Sequence, residues 1–336
     1  MADIALRSPQ FKYKEIPASG VLSSVCTVTV DGTLRYTLTK NVAASTTVNF
    51  DISELARDYL EIYYDSNYET QYVSIVTVLT NYAGLNGTGV VVGTATTFTD
   101  RGFESYGTFE EGVNPSFIGD RTPTTFLMAA DNSTTPISFT VFLPTNKPFK
   151  VPYIHSNGTL YRANLISSNS GSFSVDGVVC NVKIIDCTKY GSGRRIIFIN
   201  KFGAQQDLWF FLKEVKSLAR TNEGYKSNTI TYPTTDNSAT YSINDAANKV
   251  FNTQAKQSHV LSSGYYPEFA NEYFEQLLLS EYVWMERPSK SDPSVNEVIP
   301  VKVTTSSMTF KTSVNDRLIE YNMNFEEAFD YINNIR

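Results

Sequence analysis

The sequence predicts a mainly β protein, built from two or three antiparallel β-sandwich domains with a few short helices and long arms or loops. The first observation is a period-two alternation of Val, Ile, Thr, Tyr and Phe between clusters of Gly, Asn, Asp and Ser, which is typical of strands and turns. The second is the pair of Asn-Gly dipeptides at Asn86 and Asn157, which favour tight hairpins. The third is length, because 336 residues suit two or three domains of about 100–200 residues each.

Alternation is clearest in a set of short segments along the chain. The predicted strands are Ser24–Val30, Leu34–Leu38, Gln71–Leu79, Ile137–Leu143, Val178–Ile185, Arg195–Asn200, Asp207–Val215, Val298–Val303, Met308–Lys311 and Arg317–Glu326. The strands at 195–200 and 207–215 flank six residues and predict a hairpin with a longer loop. In the last strand Ile319, Tyr321, Met323 and Phe325 alternate with polar residues, which predicts a half-buried strand with these four side chains in the core.

Two segments have helical spacing instead. The first begins at Asp51, where Asp51 and Glu54 stand at the N-cap and N3 positions of a capping box, and an apolar face follows. The second runs from about Pro267 to Glu281, with proline suited to the first helical position. Its apolar residues form two adjacent i, i+4 rows: Phe269, Tyr273, Leu277 and Ala270, Phe274, Leu278. Such a wide face must pack on the rest of the protein.

Residues 84–135 and 220–260 differ, because they are rich in Thr, Ser, Asn and Gly and have weak periodicity. We interpret them as arms or loops that become ordered on a neighbouring subunit; the alternative is a few poorly patterned strands. The predicted domains are an N-terminal β-sandwich with one helix at 1–150, a bridging β region with a basic hairpin at 151–225, and a C-terminal β domain with one helix at 226–336.

Charge is unevenly distributed along the chain. The net charge is −6, but residues 181–226 hold nine basic and four acidic side chains, so this segment is +5 and the remainder about −11. A basic segment opposite acidic surfaces favours contact between subunits, and the alternative is a solvated face. The acidic chain as a whole predicts at most weak contact with nucleic acid.

The sequence offers little that predicts catalysis or a cofactor. Its two histidines, His155 and His259, have no partner at metal-site spacing and are interpreted as turn or surface residues. Cys26, Cys180 and Cys187 are too few for a disulfide scaffold and fit a reducing cytoplasm. Acidic pairs such as Glu326-Glu327 are interpreted as solvated surface. No secretory signal, membrane span, metal site, cofactor or enzymatic activity is therefore predicted.

Two stretches resemble structural tail and baseplate proteins of tailed bacteriophages. The first is the aliphatic strand and turn 194–203 followed by the Trp/Phe-rich 207–211, and the second is the helix-and-strand order of 269–329. The resemblance covers about the last 145 residues and implies a ring-forming β-sandwich subunit of a virion tail, made in the host cytoplasm. It implies partners in copies of the chain itself and in other tail or baseplate proteins, and no catalytic residues. The predicted subunit interface consists of Arg194, Arg195, Lys201, Phe202 and Trp209.

Two other functions stay open at the level of sequence. A receptor- or carbohydrate-binding module of a tail fibre or adhesin would use the many tyrosines, since 13% of the residues are aromatic. Such a module predicts a concave aromatic cleft that binds a glycan. A polysaccharide-degrading enzyme would need two carboxylates facing each other across a sugar, and no motif marks such a pair.

Overall fold

The computed structural model describes residues 1–43, 45–115, 125–129, 138–155, 157–166, 168–175, 178–185, 193–233, 235, 238–312 and 318–332. Strands account for 52% of the structure and helices for 8%, which confirms the predicted mainly β class. In chain order the strands are β1 (Ala2–Ala5), β2 (Phe11–Glu15), β3 (Ser23–Val30), β4 (Thr33–Asn41), β5 (Thr47–Asp51), β6 (Val73–Tyr82), β7 (Val91–Phe103), β8 (Thr125–Phe126), β9 (Ser138–Leu143), β10 (Pro148–Ile154), β11 (Leu160–Ile166), β12 (Gly171–Val175), β13 (Val178–Ile184), β14 (Arg194–Ile199), β15 (Gln205–Phe210), β16 (Glu214–Lys226), β17 (Ile230–Thr231), β18 (Thr240–Tyr241), β19 (Asn248–Ser262), β20 (Tyr266–Pro267), β21 (Val283–Pro288), β22 (Asn296–Val303), β23 (Leu318–Ile319) and β24 (Asn322–Glu327). The α-helices are α1 (Ser53–Arg57) and α2 (Asn271–Leu278), and short 3-10 turns cover Leu85–Gly87, Phe109–Glu111 and Glu268–Ala270.

The N-terminal part is a five-stranded sheet in the order β1-β7-β6-β3-β4, covered on one face by the β2–β5 pair and α1. Burial alternates strictly along β6, which confirms the period-two reading of this segment. The predicted capping box at Asp51 is wrong, since the N-cap of α1 is Ile52. The Asp51 carboxylate instead accepts hydrogen bonds from the backbone and hydroxyl of Ser53, in a turn that precedes the helix.

The C-terminal part is a seven-stranded sheet in the order β15-β14-β21-β22-β24-β19-β16. The predicted hairpin is confirmed as the antiparallel pair β14–β15. The predicted core residues of the last strand are also confirmed, because Ile319, Tyr321, Met323 and Phe325 are all buried. Met308–Lys311 is predicted as a strand but forms none; Met308 and Phe310 pack partly buried against the core from an extended segment.

Helix α2 lies over this core, as the double apolar row predicts, although it is shorter than the predicted 267–281. The Phe274 ring is fully buried and meets Tyr266 and Tyr321 edge-on, with centroids 5.3 and 5.1 Å apart. Two three-stranded sheets, β11-β10-β8 and β12-β13-β9, extend the same apolar cluster, which runs from Phe126 to Phe325. A separate cluster spans residues 4–79. The division at 1–150, 151–225 and 226–336 stays a prediction.

The two segments interpreted as loops both contain strands. Residues 91–103 form β7 inside the five-stranded sheet, while 116–124 and 130–135 of the first segment lie outside the described residues. In the second segment, residues 220–226 and 248–260 belong to the long antiparallel pair β16–β19, and the short pair β17–β18 lies between them. Strands β7, β16 and β19 are rich in threonine or in mixed charges and are largely exposed, so they show no apolar alternation. A period-two pattern therefore does not predict them.

The β16–β19 pair extends beyond its own sheet. Strand β19 pairs with β24 only from Ser258 to Ser262, so the nine residues Leu218–Lys226 and their partners continue as a two-stranded ribbon. At about 3.3 Å per residue this ribbon is about 30 Å long. Every residue of β16 after Glu214 is exposed, and so are the first four residues of β19, Asn248–Phe251. Nearer the sheet, Ala255 of β19 is buried and accepts a hydrogen bond from the Tyr331 backbone, so the ribbon is exposed chiefly toward its tip. We call residues 215–257 the arm.

Candidate functional site

The five residues of the predicted interface all lie on or beside the β14–β15 hairpin. Arg194 and Arg195 begin β14, Trp209 stands opposite Arg195 on β15, and Lys201 and Phe202 occupy the turn. Trp209 and Phe202 are only 4% and 7% exposed, so neither presents its ring to a partner. The sequence therefore placed these residues in the correct hairpin, but their aromatic members are part of the core.

The Arg195 guanidinium is neutralised inside its own chain. It bonds Asp207 Oδ2 at 2.9 Å, Glu286 Oε2 at 3.0 Å and the Tyr68 hydroxyl at 2.6 Å. Burial lowers the pKa of Arg195, but Asp207 and its other partners outweigh burial and hold the pKa above its ordinary value. Tyr68, buried and hydrogen bonded to Asp207, belongs to the irregular segment after α1, so this cluster ties the N-terminal part to the seven-stranded sheet.

Arg194 and Lys201 are likewise paired within the chain. Arg194 Nη2 lies 2.7 Å from Glu214 Oε2, and Lys201 Nζ lies 3.2 Å from Glu111 Oε2. The acidic surface that these cations were expected to meet on another subunit is thus supplied by the same chain. Arg194, Arg195 and Lys201 of the +5 segment are thus compensated within the chain, and the subunit interface stays a prediction.

His259 lies in a buried charge network, so its interpretation as a turn or surface residue is wrong. It is fully buried, with Nδ1 2.8 Å from Glu214 Oε1 and Nε2 3.4 Å from Glu327 Oε1. Glu327 is also buried and receives Arg287 Nη1 at 2.5 Å. Alternation along β19 could have identified His259, since it shares a face with buried Ala255 and Leu261. His155 does lie in a turn, where its carbonyl accepts a hydrogen bond from the Gly158 backbone. Cys180 is a buried free cysteine, and Cys187 lies outside the described residues.

The Glu214 carboxyl gives this network a pH dependence. Burial raises its pKa, but hydrogen bonds from His259 and Arg194 outweigh burial and lower the pKa from 4.5 to about 2. A carboxyl with a depressed folded-state pKa contributes stability above its unfolded pKa and loses it as pH falls toward the folded pKa. We expect Glu214→Gln to weaken the fall in stability between about pH 4.5 and pH 2, as measured by urea unfolding across that range. An unchanged slope in that window would contradict the assignment.

The described ranges contain no group of three or more His, Cys, Asp or Glu residues that could hold a metal ion. Among the same residues, no helix has the length and apolar character needed to cross a membrane. Two outward-facing features of the described chain combine charged and aromatic side chains, the arm and a groove.

The arm combines exposed apolar side chains with charges of both signs, since its five cations are accompanied by Glu223, Asp236 and Asp245. Its exposed large hydrophobic residues are Val215, Leu218, Tyr225, Ile230, Tyr232, Tyr241, Ile243, Val250 and Phe251. At the base, Lys216 and Lys256 pair with Glu214 and Glu326. Farther out, Arg220, Lys226 and Lys249 form no ion pair with any part of the chain that the structure describes. Tyr225 stands directly opposite Lys249 and lies 6.2 Å from the Phe251 ring, so charge and aromatic surface coincide.

A groove of about 560 Å³ opens beside the irregular segment that follows α1. Its lining includes the carboxylates of Asp31, Asp58, Glu61 and Glu69, the cation Arg35, and the rings of Tyr59, Tyr63 and Tyr72. We call it the acidic groove. Ile62 and Tyr64 of this segment pack inward on Ile197 and Trp284, and the extended backbone alternation directs Glu61 and Tyr63 to solvent.

Most of the groove's polar groups have partners at its rim. Arg162 Nη1 lies 2.9 Å from Glu69 Oε1, and the Arg35 guanidinium lies 4.5 Å from the Tyr59 ring centroid. Glu61, in contrast, forms no ion pair with any described residue. Tyr63 and Tyr72 are 59% and 44% exposed. The groove therefore presents a free carboxylate between exposed aromatic rings.

Comparison of the chain with protein-family models, with curated proteins and with solved structures finds no match. The resemblance to tail and baseplate proteins accordingly stays a prediction.

Proposed function

We propose that this chain is a structural subunit of a virion tail or baseplate, a ring-forming component that joins neighbouring tail subunits. The observation that carries the proposal is the arm, a ribbon about 30 Å long whose β16 strand is exposed at every residue after Glu214. A solvent-exposed ribbon rich in large apolar side chains is an interaction element, because burying those side chains on a partner is favourable. The resemblance of residues 194–211 and 269–329 to tail proteins supports the virion setting.

The role of the arm is tested by shortening it. Replacing residues 218–257 with an Asn-Gly turn keeps the pairs Ser217–Ser258 and Lys216–His259 that join the ribbon to the sheet. We expect the full chain at high concentration to form rings or tubes by negative-stain microscopy, and the shortened chain to remain monomeric. Circular dichroism and thermal unfolding serve as controls for folding of the shortened chain. Rings formed equally well by a folded, shortened chain would overturn the proposal.

A receptor- or carbohydrate-binding module is the second candidate, and the acidic groove is the observation that favours it. Exposed tyrosine rings can stack on sugar faces, and carboxylates accept hydrogen bonds from sugar hydroxyls. Glycan-array screening of the full chain and of Tyr63→Ser tests this candidate. Binding that depends on Tyr63, together with a chain that stays monomeric, would favour it over the assembly role.

A further inference from the structure

We propose that the side chains of Lys12 and Asp100 are joined by an isopeptide bond that forms within the chain. The Lys12 Nζ atom lies 2.6 Å from Asp100 Oδ2. Lys12 belongs to β2 of the pair that covers the N-terminal sheet, and Asp100 belongs to β7 of that sheet, so the bond ties the cover to the sheet. The inference does not depend on the proposed virion role, because it concerns two side chains inside the N-terminal part.

The contact between Lys12 and Asp100 lacks the geometry of a hydrogen-bonded ion pair. Although Nζ is so near, it meets Asp100 Oδ2 outside the angular range of a hydrogen bond, and this buried oxygen accepts none from the part of the chain that the structure describes. A buried ion pair offsets the cost of its desolvation only when its geometry is good and hydrogen bonds satisfy its remaining donors and acceptors. The two groups are therefore close enough to react but poorly placed to persist as separate charges.

Both side chains lie in apolar surroundings. The side chain of Lys12 is 11% exposed and that of Asp100 is 4% exposed. Phe50 stands opposite Lys12 on β5, Ile75 stands opposite Asp100 on β6, and both are fully buried. The Phe98 ring centroid lies 5.1 Å from Lys12 Nζ. Charges in such surroundings cost free energy, which favours transfer of a proton from the ammonium to the carboxylate and so yields an uncharged amine and acid.

The uncharged pair contains the groups that amide formation needs. The Lys12 amine attacks Asp100 Cγ, a C–N bond forms, and the carboxyl hydroxyl leaves as water with one proton of the amine. No oxidant or other reactant is consumed. Thr77 stands diagonally opposite Asp100 on the same face of the sheet, and its buried hydroxyl has no hydrogen-bond partner among the described residues. This hydroxyl is available to exchange a proton with the reacting carboxyl.

The bond has a mechanical consequence for the N-terminal part. It closes the chain between residues 12 and 100, a stretch that runs from β2 to β7. A covalent closure of this kind restricts the unfolded chain and thereby favours the folded state. Unlike a disulfide, an amide is not broken by thiols, so the closure persists in a reducing environment.

The intact mass of the full chain tests the bond. We expect most of the purified protein, measured after denaturation, to be lighter by one water molecule than the unlinked chain. Digestion and tandem mass spectrometry should then yield a branched peptide in which Lys12 is joined to Asp100. A protein that folds but keeps its full mass, or a loss of water located elsewhere in the chain, would overturn the inference.

Two lysine variants make the test specific. Lys12→Arg removes the nucleophile but keeps a positive charge beside Asp100, and it should show the full mass and no branched peptide. Lys14→Arg is the matched control, because Lys14 Nζ donates to Thr94 O at 2.6 Å and to Thr96 Oγ1 at 2.7 Å, and this variant should lose water like the wild type. A loss of water that persists in Lys12→Arg contradicts the assignment. The mass of the wild-type chain decides the question even if a variant fails to fold.

Discussion

Leu277→Ala is expected to lower the free energy of unfolding by about 2–5 kcal/mol, the cost of opening a cavity where a buried leucine stood. Leu277 is fully buried on the face of α2 that meets the seven-stranded sheet, beside Phe274. Neighbouring side chains in a close-packed core cannot collapse fully into the vacated space, so the loss exceeds the transfer free energy of the removed methyl groups. Urea unfolding monitored by tryptophan fluorescence measures this change.

The next residue along the helix is a matched control. Leu278→Ala removes the same atoms, but Leu278 is only half-buried at the edge of the same cluster. The sequence pattern treats the two leucines alike, while the structure predicts that the Leu278 variant loses clearly less stability. Equal losses from both variants would contradict the packing of α2 described here.

Glu327→Gln is expected to destabilise the protein by about 3–5 kcal/mol, because it leaves buried positive charge with less compensation. The Glu327 carboxylate accepts from Arg287 Nη1 at 2.5 Å and lies 3.4 Å from both His259 Nε2 and Lys290 Nζ. An amide has one oxygen and no charge, so it cannot serve these three donors equally. Chemical denaturation near neutral pH measures the loss.

The adjacent glutamate again serves as control. Glu326 points to the opposite face and pairs with the half-exposed Lys256 at 3.3 Å. Glu326→Gln should change stability by less than about 1 kcal/mol, as for other surface ion pairs. Replacing Arg287 and Glu327 together by Met and Leu should recover most of the Glu327→Gln loss, since an apolar pair needs no counter-charge. A large loss from Glu326→Gln, or a double variant no more stable than Glu327→Gln, would contradict the network.

The buried network around His259 and Glu327 shows how far a local sequence pattern predicts the position of a charged side chain. The alternation that put Met323 and Phe325 in the core also puts Glu327 on the buried face, and the alternation of β19 does the same for His259. Both residues were nevertheless interpreted as surface, because a charged or polar side chain on a core face is stable only with partners. Those partners, Arg287 and Glu214, come from strands distant in sequence.

The sequence by itself determined the mainly β class, the positions of ten of the 24 described strands, the apolar face of α2 and the inward side chains of β24, because period-two and period-3.6 spacing are properties of local backbone geometry. Only the tertiary structure decided which charged side chains form ion pairs and which do not. It paired Arg194, Arg195 and Lys201 within the chain, left Arg220, Lys226 and Lys249 without an ion pair to any described residue, and gathered acidic residues into a groove. Coulomb interactions depend on distance in space and on burial, which spacing along the chain does not specify.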